Sequence, residues 1–352
     1  MTKNNTILDI AAAANVSTAT VSRVLNASGK VRESTAKRVL KVAEKMNYQP
    51  SRVARRMRAK SVNSLIIGLI IPDMYNPFFS ELSRAVEDVA YKYRHVTFVC
   101  NTDEDIQKEK FYINSMIAEK VSGLIIAPTN GDKPHMELLI DKKFPVVTID
   151  RKTGFSDLDS CTVDSEYGAY MGVKRLVDLG HNRIGLINGI KNLSTSQDRF
   201  RGYKKALNEA GIPVLDELVH FEDFKVAGGS NAALKLLSLE KRPTAIFICN
   251  SLMTLGCITE FKKNNIRIPD DIAIIGYDEM PWSAALTPPM TTIKQPCYEL
   301  GTSAAELLIN KLQNPSQSPR HIVLTPQMIV RESCGKNIHV GSDPLAGSLR
   351  DN

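Results

Sequence analysis

Two different periodicities of hydrophobic residues divide the chain. In the first sixty residues, apolar positions recur every three or four residues in three short runs, which indicates three helices. From Ser64 onward, short apolar runs alternate with longer amphipathic stretches, which is typical of strands and helices that follow one another. The change of pattern predicts a small all-α domain over 1–49 and a larger α/β domain over 63–334.

Three amphipathic stretches predict the helices of the first domain. The first runs from Ile7 to Ala14, where Asn15 interrupts it. Ser17 is a suitable N-cap for the second helix, over 18–26. The third helix is expected to bury one apolar face, made of Val39, Leu40, Val42, Ala43 and Met46. Two short helices joined by a tight turn are the elements of a helix-turn-helix.

The second helix is expected to present a polar face. Val16, Val21 and Val24 or Leu25 should face inward. The outward face then holds Thr18, Ala19, Thr20, Ser22, Arg23 and Asn26. In a helix-turn-helix such a helix lies in the major groove with its N-terminal residues at the base edges, so this face is a candidate DNA-reading surface.

The net charge of +7 is unevenly distributed along the chain. Residues 1–60 hold 13 lysines and arginines against 3 acidic residues, whereas the remainder holds 32 against 35. A basic module indicates a polyanionic partner, and nucleic acid is the usual one. A solvated basic face would have the same composition, but the helix-turn-helix pattern inside the module favours nucleic acid.

Particular residues of this region resemble the DNA-binding headpiece of the lactose-repressor (LacI) family. The similarity lies in segments 6–11, 16–26 and 47–50, and it continues almost to the C-terminus. It implies that Thr18 and Ala19 choose between operators and that Arg23 contacts a base. An arginine can hold guanine O6 and N7 with two hydrogen bonds, whereas Ala19 offers only a methyl contact. The candidate DNA contacts on this helix are Ser17, Thr18, Ala19, Thr20, Ser22, Arg23 and Asn26.

Residues 50–62 resemble the hinge helix of the same family, which orders on DNA and inserts into the minor groove. The candidate DNA contacts here are Ser51, Arg52, Val53 and Met57. Leucine is the usual inserted side chain in the family, and Met57 is an apolar but softer replacement. A basic linker is the alternative, although a linker does not need Val53, Ala54 and Met57 on a single face.

The larger domain has the pattern of a doubly wound α/β protein. The run over 65–71 suits a central parallel strand, and six further apolar runs repeat the theme with helical stretches between them. This rhythm predicts doubly wound sheets, and the length suits two lobes. Residues 335–352 are expected to form a disordered tail, and they contain no leucine heptads, which form the tetramer in some family members.

The larger domain also resembles the periplasmic sugar-binding fold that supplies the family's sensor domain, and ribose-binding protein in particular. By this resemblance the ligand contacts are Asn76, Phe78, Phe79, Asp150, Arg151, Arg199, Phe224, Asn250, Asp278 and Gln295. These residue types suit a carbohydrate, because aromatic faces stack on sugar rings and charged groups bind vicinal hydroxyls. Taken singly, such residues could also be core, a helix cap or an ion pair. Ser251 stands where many relatives have an aspartate, which leaves the identity of the ligand open.

Other functional classes find little support in the sequence. There are no glycine-rich phosphate-binding motifs, no zinc-protease motif and no nucleophile elbow, and the histidines lie far apart. The six cysteines form no Cys-x-x-Cys pair and are expected to be reduced and inert. No enzymatic activity and no cofactor are expected.

Neither a membrane span nor a secretion signal is expected. No apolar run approaches the ~20 residues that cross a bilayer, and the first residues lack the apolar core of a signal peptide. The sequence thus predicts a cytoplasmic protein without a membrane partner.

Taken together, these patterns predict a transcription regulator, and specifically a repressor, that binds operator DNA under the control of a small ligand. The expected ligand is a monosaccharide such as a pentose. A homodimer is expected because a helix-turn-helix protein reads the two halves of a pseudo-palindromic operator by two-fold symmetry. A sugar-transport protein would explain the larger domain but not the basic headpiece. Whether the ligand releases or strengthens DNA binding stays open.

Overall fold

The computed structural model describes residues 5–25, 29–46, 48, 66–129 and 133–335. Two compact units divide the chain, Met1–Asn63 and Ser64–Asn352. Five predicted DNA contacts and most of the predicted tail lie outside the described residues: Asn26, Ser51, Arg52, Val53, Met57 and 336–352.

The first unit contains three helices, α1 (Ile7–Ala13), α2 (Thr18–Leu25) and α3 (Glu33–Lys45). A capping box begins α1, because the Thr6 hydroxyl accepts from the Asp9 amide while the Asp9 carboxylate accepts from the Thr6 amide at 2.7 Å. The Ser17 hydroxyl accepts a hydrogen bond from the Thr20 amide at 3.2 Å, which confirms Ser17 as the N-cap of α2.

The core of this unit takes one fully buried residue from each helix: Ile10, Val21 and Val39. Leu40 is 52% exposed, so the prediction that it belongs to the buried face of α3 is wrong. Neighbouring residues on a helix point about 100° apart. Because Val39 and Ala43 face the core, Leu40 turns toward solvent.

The second unit has two lobes, each built on a six-stranded sheet. The strands of the N-terminal lobe are β1 (Ile66–Ile71), β2 (Val96–Asn101), β3 (Gly123–Ile126), β4 (Val146–Ile149), β5 (Asp159–Val163) and β11 (His321–Leu324). They pair in parallel in the order β11–β5–β4–β3–β1–β2. The helices of this lobe are α4 (Pro77–Lys92), α5 (Ile106–Ala118), α6 (Lys133–Asp141) and α11 (Cys297–Gln313).

The C-terminal lobe repeats this architecture. Its strands are β6 (Ile184–Asn188), β7 (Val219–Phe221), β8 (Ala245–Ile248), β9 (Ala273–Tyr277), β10 (Thr291–Lys294) and β12 (Gln327–Ile329). The order is β12–β10–β9–β8–β6–β7, and only β12 runs antiparallel to its neighbour. The helices are α7 (Ser165–Asp178), α8 (Ser194–Glu209), α9 (Val226–Leu237) and α10 (Ser251–Lys263). The prediction of a doubly wound, two-lobed α/β domain is confirmed.

The chain crosses between the lobes three times, after β5, after β10 and after β11. Neither lobe is therefore a continuous segment. The central strands are buried throughout, as in β3 and β8, which agrees with their uninterrupted apolar sequences. Among the described residues, no helix is long and apolar enough to cross a membrane.

The cysteines are all free thiols, and five of the six are buried. Burial raises the pKa of Cys161 and of Cys249 to about 12. Such thiols stay protonated and are poor nucleophiles. Within the described ranges, no cluster of three or more histidine, cysteine or acidic side chains is arranged to hold a metal ion.

Candidate functional site

A cavity of about 490 Å³ lies between the two lobes. Its walls bring together all ten predicted ligand contacts: Asn76, Phe78, Phe79, Asp150, Arg151, Arg199, Phe224, Asn250, Asp278 and Gln295. Six further wall residues were not singled out from the sequence: Pro72, Asp73, Glu104, Thr195, Asp223 and Lys225. Many of these residues directly follow a strand, so the carboxyl ends of both sheets open into one space, which is where open α/β sheets bind ligands.

Three wall residues have left-handed backbone conformations. Asp150 directly follows β4 with φ of +68°, and Asp278 directly follows β9 with φ of +76°. Phe224, in the loop before α9, has φ of +63°. Non-glycine residues rarely adopt this conformation, and such strain concentrates at binding sites.

On the N-terminal wall, Arg151 is held by the protein itself. Its two terminal nitrogens donate to the Glu104 carboxylate at 2.5 and 2.9 Å, and one of them also donates to the Pro128 carbonyl at 2.8 Å. The remaining nitrogen, Nε, lies 3.5 Å from Asp150 Oδ2. Arg151 is therefore fixed beside Asp150 with most of its donors already used.

On the C-terminal wall, two buried polar atoms have no hydrogen-bond partner among the described residues. Arg199 donates from Nη1 to the Cys249 carbonyl and lies 3.8 Å above the centre of the Tyr277 ring, but its Nε is unpaired. Gln295 donates from Nε2 to Asp278 Oδ1 at 2.6 Å, while its Oε1 is unpaired. A buried unpaired polar group costs ~1–3 kcal/mol. One donor and one acceptor are thus available to form hydrogen bonds with a polar ligand or water.

The two cavity aspartates are hard to ionise. Burial raises the pKa of Asp150 to about 6, although Arg151 and Arg199 favour its charged form. Burial also raises the pKa of Asp278, against the charge of Arg199 and the hydrogen bond from Gln295. Asp278 also raises the pKa of Asp150 through charge repulsion. A ligand whose hydroxyl groups donated hydrogen bonds to these carboxylates would stabilise their charged forms.

The two cavity asparagines are also helix caps. Asn76 Oδ1 accepts from the Phe78 amide at 3.0 Å at the start of α4, and Asn250 Oδ1 accepts from the Met253 amide at 2.7 Å at the start of α10. Asn250 Nδ2 in addition donates to the Phe224 carbonyl at 3.1 Å. Each residue therefore combines a place in the cavity wall with a structural role.

A glycine that the sequence did not point to determines where one aromatic ring lies. A Cβ atom on Gly189 would be 1.9 Å from Cζ of Phe224, far inside van der Waals contact. The Phe224 ring can therefore lie against the backbone only because residue 189 has no side chain. On the other lobe, the cavity-wall residues Phe78 and Phe79 pack edge to face with ring centres 4.9 Å apart.

In the first unit, three of the five described residues of the predicted outward face of α2 are exposed. Thr18, Ala19 and Arg23 are exposed, and Thr20 and Ser22 are half-buried. Ser17 is exposed but its hydroxyl is engaged at the start of the helix. The structure therefore offers Thr18, Ala19 and Arg23 to a partner.

Comparisons with known proteins account for both halves of the chain. Residues 6–51 match bacterial regulatory proteins of the lacI family, and residues 173–334 match the periplasmic binding protein-like domain. The HTH-type transcriptional repressor PurR of Aliivibrio salmonicida is 34% identical over 332 residues, which cover 94% of this chain and 99% of that protein. The chain belongs to the LacI family. The resemblance seen in the headpiece is thus confirmed.

Two solved structures extend the similarity to the LacI fold. The lac repressor dimer bound to operator and the anti-inducer ONPF has a TM-score of 0.81 and 27% identity, and the match covers 95% of this chain and 100% of that one. A LacI-family transcriptional regulator from Enterococcus faecium with bound ribose has a TM-score of 0.70 and 30% identity, covering 77% and 98%. As a LacI-family member, the protein is a DNA-binding transcriptional repressor with an effector-binding domain, not an enzyme.

Proposed function

We propose that a monosaccharide, with a pentose such as ribose as the first candidate, is the effector of this repressor. The carrying observation is the unpaired donor Arg199 Nε and the unpaired acceptor Gln295 Oε1, both buried in one cavity with two carboxylates. Hydroxyl groups satisfy donors and acceptors at once, and a ring with several of them can reach all four groups. The bound ribose of the Enterococcus faecium relative supports a pentose.

In this proposal, Asp150 and Asp278 accept hydrogen bonds from the sugar, and Arg199 donates. Phe224 and the Phe78–Phe79 pair provide apolar faces for the ring. Arg151 acts as a positioning residue for Asp150, because Glu104 and Pro128 already use its terminal nitrogens. Asn76 and Asn250 complete the wall.

On DNA, we infer that α2 lies in the major groove of a pseudo-palindromic operator, with Arg23 on a base and Thr18 and Ala19 beside it. Ser17, Thr20, Ser22 and Asn26 stay predicted contacts of the same helix. The hinge contacts Ser51, Arg52, Val53 and Met57 also stay predictions that rest on the family resemblance. A Met57→Gly variant should bend operator DNA less while its non-specific binding survives, and a circular-permutation gel measures this.

We also infer a cytoplasmic homodimer. The related lac repressor is a dimer on its operator. In this chain the edge strand β2 exposes three apolar side chains, Val96, Phe98 and Val99, with exposed fractions of 45%, 43% and 37%. An exposed apolar edge strand offers a surface on which another chain can pack. A Phe98→Lys variant should shift sedimentation toward monomer, whereas Phe111→Lys on α5 should leave it unchanged.

Calorimetry against pentoses, hexoses, sugar phosphates and purines tests the effector class. Binding of a purine and of no free sugar would overturn the proposal. An operator selected from random DNA then allows the coupling to be measured. A coupling of ~1–3 kcal/mol changes operator affinity about 5- to 150-fold, and the operator must change effector affinity by the same factor.

A further inference from the structure

A single lysine joins the two lobes at the cavity wall. Lys225 lies in the C-terminal lobe just before α9, and its Nζ is 2.7 Å from Asp73 Oδ2 and 2.7 Å from Asp103 Oδ1. Asp73 follows β1 and Asp103 follows β2, so both carboxylates belong to the N-terminal lobe. We call this arrangement the Lys225 bridge. It connects loops that lie on opposite sides of the cleft.

Within the bridge, the Lys225–Asp103 contact favours the charged form of both partners. The hydrogen bond from Lys225 lowers the pKa of Asp103. Although burial opposes it, the hydrogen bonds to Asp103 and Asp73 raise the pKa of Lys225. The side chains of Lys225 and Asp73 are 34% and 18% exposed, so water screens their attraction only in part.

Acidic side chains outnumber basic ones around the cavity, and two of the three cations in its wall are paired with carboxylates. Among the wall residues, the acidic side chains number five and the basic ones three. Arg151 pairs with Glu104, Lys225 pairs with Asp73, and Arg199 lies within the field of Asp150 and Asp278. The wall is thus net negative, and a phosphate group entering it would meet like charge.

We propose that Lys225 is a specificity-determining residue, which closes the cleft by joining Asp73 to Asp103 and restricts the effector to neutral polyhydroxylated ligands, excluding phosphorylated sugars. The exclusion rests on the proposed function, since it refines the sugar class. The closure does not, because all three groups of the Lys225 bridge are side chains of the protein itself.

The chain offers a matched control for this bridge. Lys235, on α9, forms an ion pair with Glu222 at 3.0 Å, and both residues belong to the C-terminal lobe. Lys235→Met therefore removes a lysine ion pair that does not cross the cleft. Lys225→Met removes one that does.

The closure is tested without ligand by fluorescence energy transfer in the full chain. Dyes at Lys142 and Lys241, exposed residues just before β4 and β8, report the separation of the far ends of the lobes. Labelled chain is mixed with excess unlabelled chain so that a dimer carries one labelled copy. We expect lower transfer efficiency in Lys225→Met than in wild type, and wild-type efficiency in Lys235→Met. Equal efficiency in all three proteins would overturn the closure.

Asp103→Asn provides a second variant if Lys225→Met does not melt cooperatively. The Asp103 side chain is 50% exposed, so this substitution removes one of the two ion pairs of the bridge with little change in packing. It should lower the transfer efficiency by a smaller amount. High salt should lower the efficiency of wild type toward that of the variants, because the bridge is partly exposed.

The exclusion is tested by calorimetry with paired probes, D-ribose against D-ribose 5-phosphate and D-glucose against D-glucose 6-phosphate. One of the two neutral sugars is expected to bind wild type. Its phosphate ester should then bind about 100-fold more weakly. The double substitution Asp73→Asn with Asp103→Asn removes two negative charges and frees the lysine, so it should narrow this gap about tenfold. An ester that binds wild type as tightly as its parent overturns the exclusion but not the sugar class. If no sugar or ester binds, the sugar class itself fails, and the fluorescence result still decides the closure.

Discussion

Polar side chains are exposed on the outward face of α2 but buried in the cavity between the lobes. On α2, Arg23 and Thr18 are exposed, and the helix is held in place by Val21 beneath them. In the cavity, Arg199 is only 4% exposed and lies between a carbonyl, an aromatic ring and two aspartates.

This difference determines what a substitution changes. Removing an exposed side chain from α2 should affect DNA binding and leave the free energy of unfolding almost unaltered. Removing a cavity side chain should affect both ligand binding and stability, because the group that is proposed to bind the effector also satisfies buried neighbours. Affinity and melting temperature, measured together on each variant, therefore test the comparison.

Arg199→Ala should have the largest effect. A hydrogen bond to a charged group contributes ~1.5–3 kcal/mol, so losing the guanidinium should weaken effector binding about 10- to 150-fold. The melting temperature should fall as well, because Asp150 and Asp278 lose their shared cation. Operator binding without effector should persist. Calorimetry, thermal melting and fluorescence anisotropy measure the three quantities.

The control for this variant is Arg201→Ala, on the same helix, whose side chain is 47% exposed. It should keep effector affinity within about twofold of wild type. An Arg199→Ala protein that still responds fully to its effector would mean that the effector binds elsewhere.

Arg23→Ala should come next, with a cost of ~1–3 kcal/mol at the operator and a relaxed preference at one base pair per half-site. The melting temperature should not change. Lys37→Ala, at an exposed basic residue of α3, is the control for loss of charge alone. If Arg23→Ala weakened binding to operator and to random DNA by the same factor, Arg23 would be only a phosphate contact.

Acid should weaken effector binding by a smaller factor. Burial raises the pKa of Asp150 to about 6, and the proposed hydroxyl donors of the effector would bind its charged form. Affinity should be full above pH 6 and fall through it, reaching about a tenth of its value by pH 5. Arg151 and Arg199 favour that charge, whereas Asp278 and Glu104 oppose it. Titration calorimetry from pH 7.5 to 5 measures the change, and Asp150→Asn should abolish it.

For the unliganded protein the sign is reversed. Because the folded pKa of Asp150 lies above the ordinary value of 3.8, the folded state holds its proton more tightly than the unfolded chain. The cost of this buried charge appears as the pH rises from about 4 to 6. A stability contribution from Asp150 that grew over this interval would contradict the assignment.

Ser17→Ala should have the smallest effect, and it should change both stability and DNA binding although Ser17 is exposed. Its hydroxyl caps the N-terminus of α2, and it also lies on the predicted DNA-reading face. We expect loss of ~1 kcal/mol in headpiece stability together with weaker operator binding. Thr18→Ala, one residue further along, should weaken operator binding alone, as followed by circular dichroism and anisotropy.

Local patterns predicted most of the fold. Helices and strands follow from spacing over a few residues, so the α/β alternation and Ser17 as the N-cap of α2 were predicted correctly. Leu40 was misassigned because the apolar stretch in α3 is wider than the face that packs. The ten cavity residues were proposed from a family resemblance, and spacing alone would not have brought them together.

What the sequence could not reveal depends on distant pairing. Glu104 contacts Arg151 across 47 residues, and Lys225 contacts Asp73 across 152. No periodicity records such a pair. Gly189 was equally invisible, because its importance lies in the ring of Phe224 that fills the space beside it.

The three crossings between the lobes impose an order on protein synthesis. The ribosome makes β1 to β5 first, but α11 and β11, which complete the N-terminal lobe, follow the whole C-terminal lobe as far as β10. Leu300, Ala304 and Leu308 of α11 are buried in the core of the N-terminal lobe. The part of the N-terminal lobe against which α11 packs therefore stays uncovered while some 130 residues more are translated. A chain that stopped after β10 would lack α11 and β11 from one lobe and β12 from the other, so it would contain neither lobe intact.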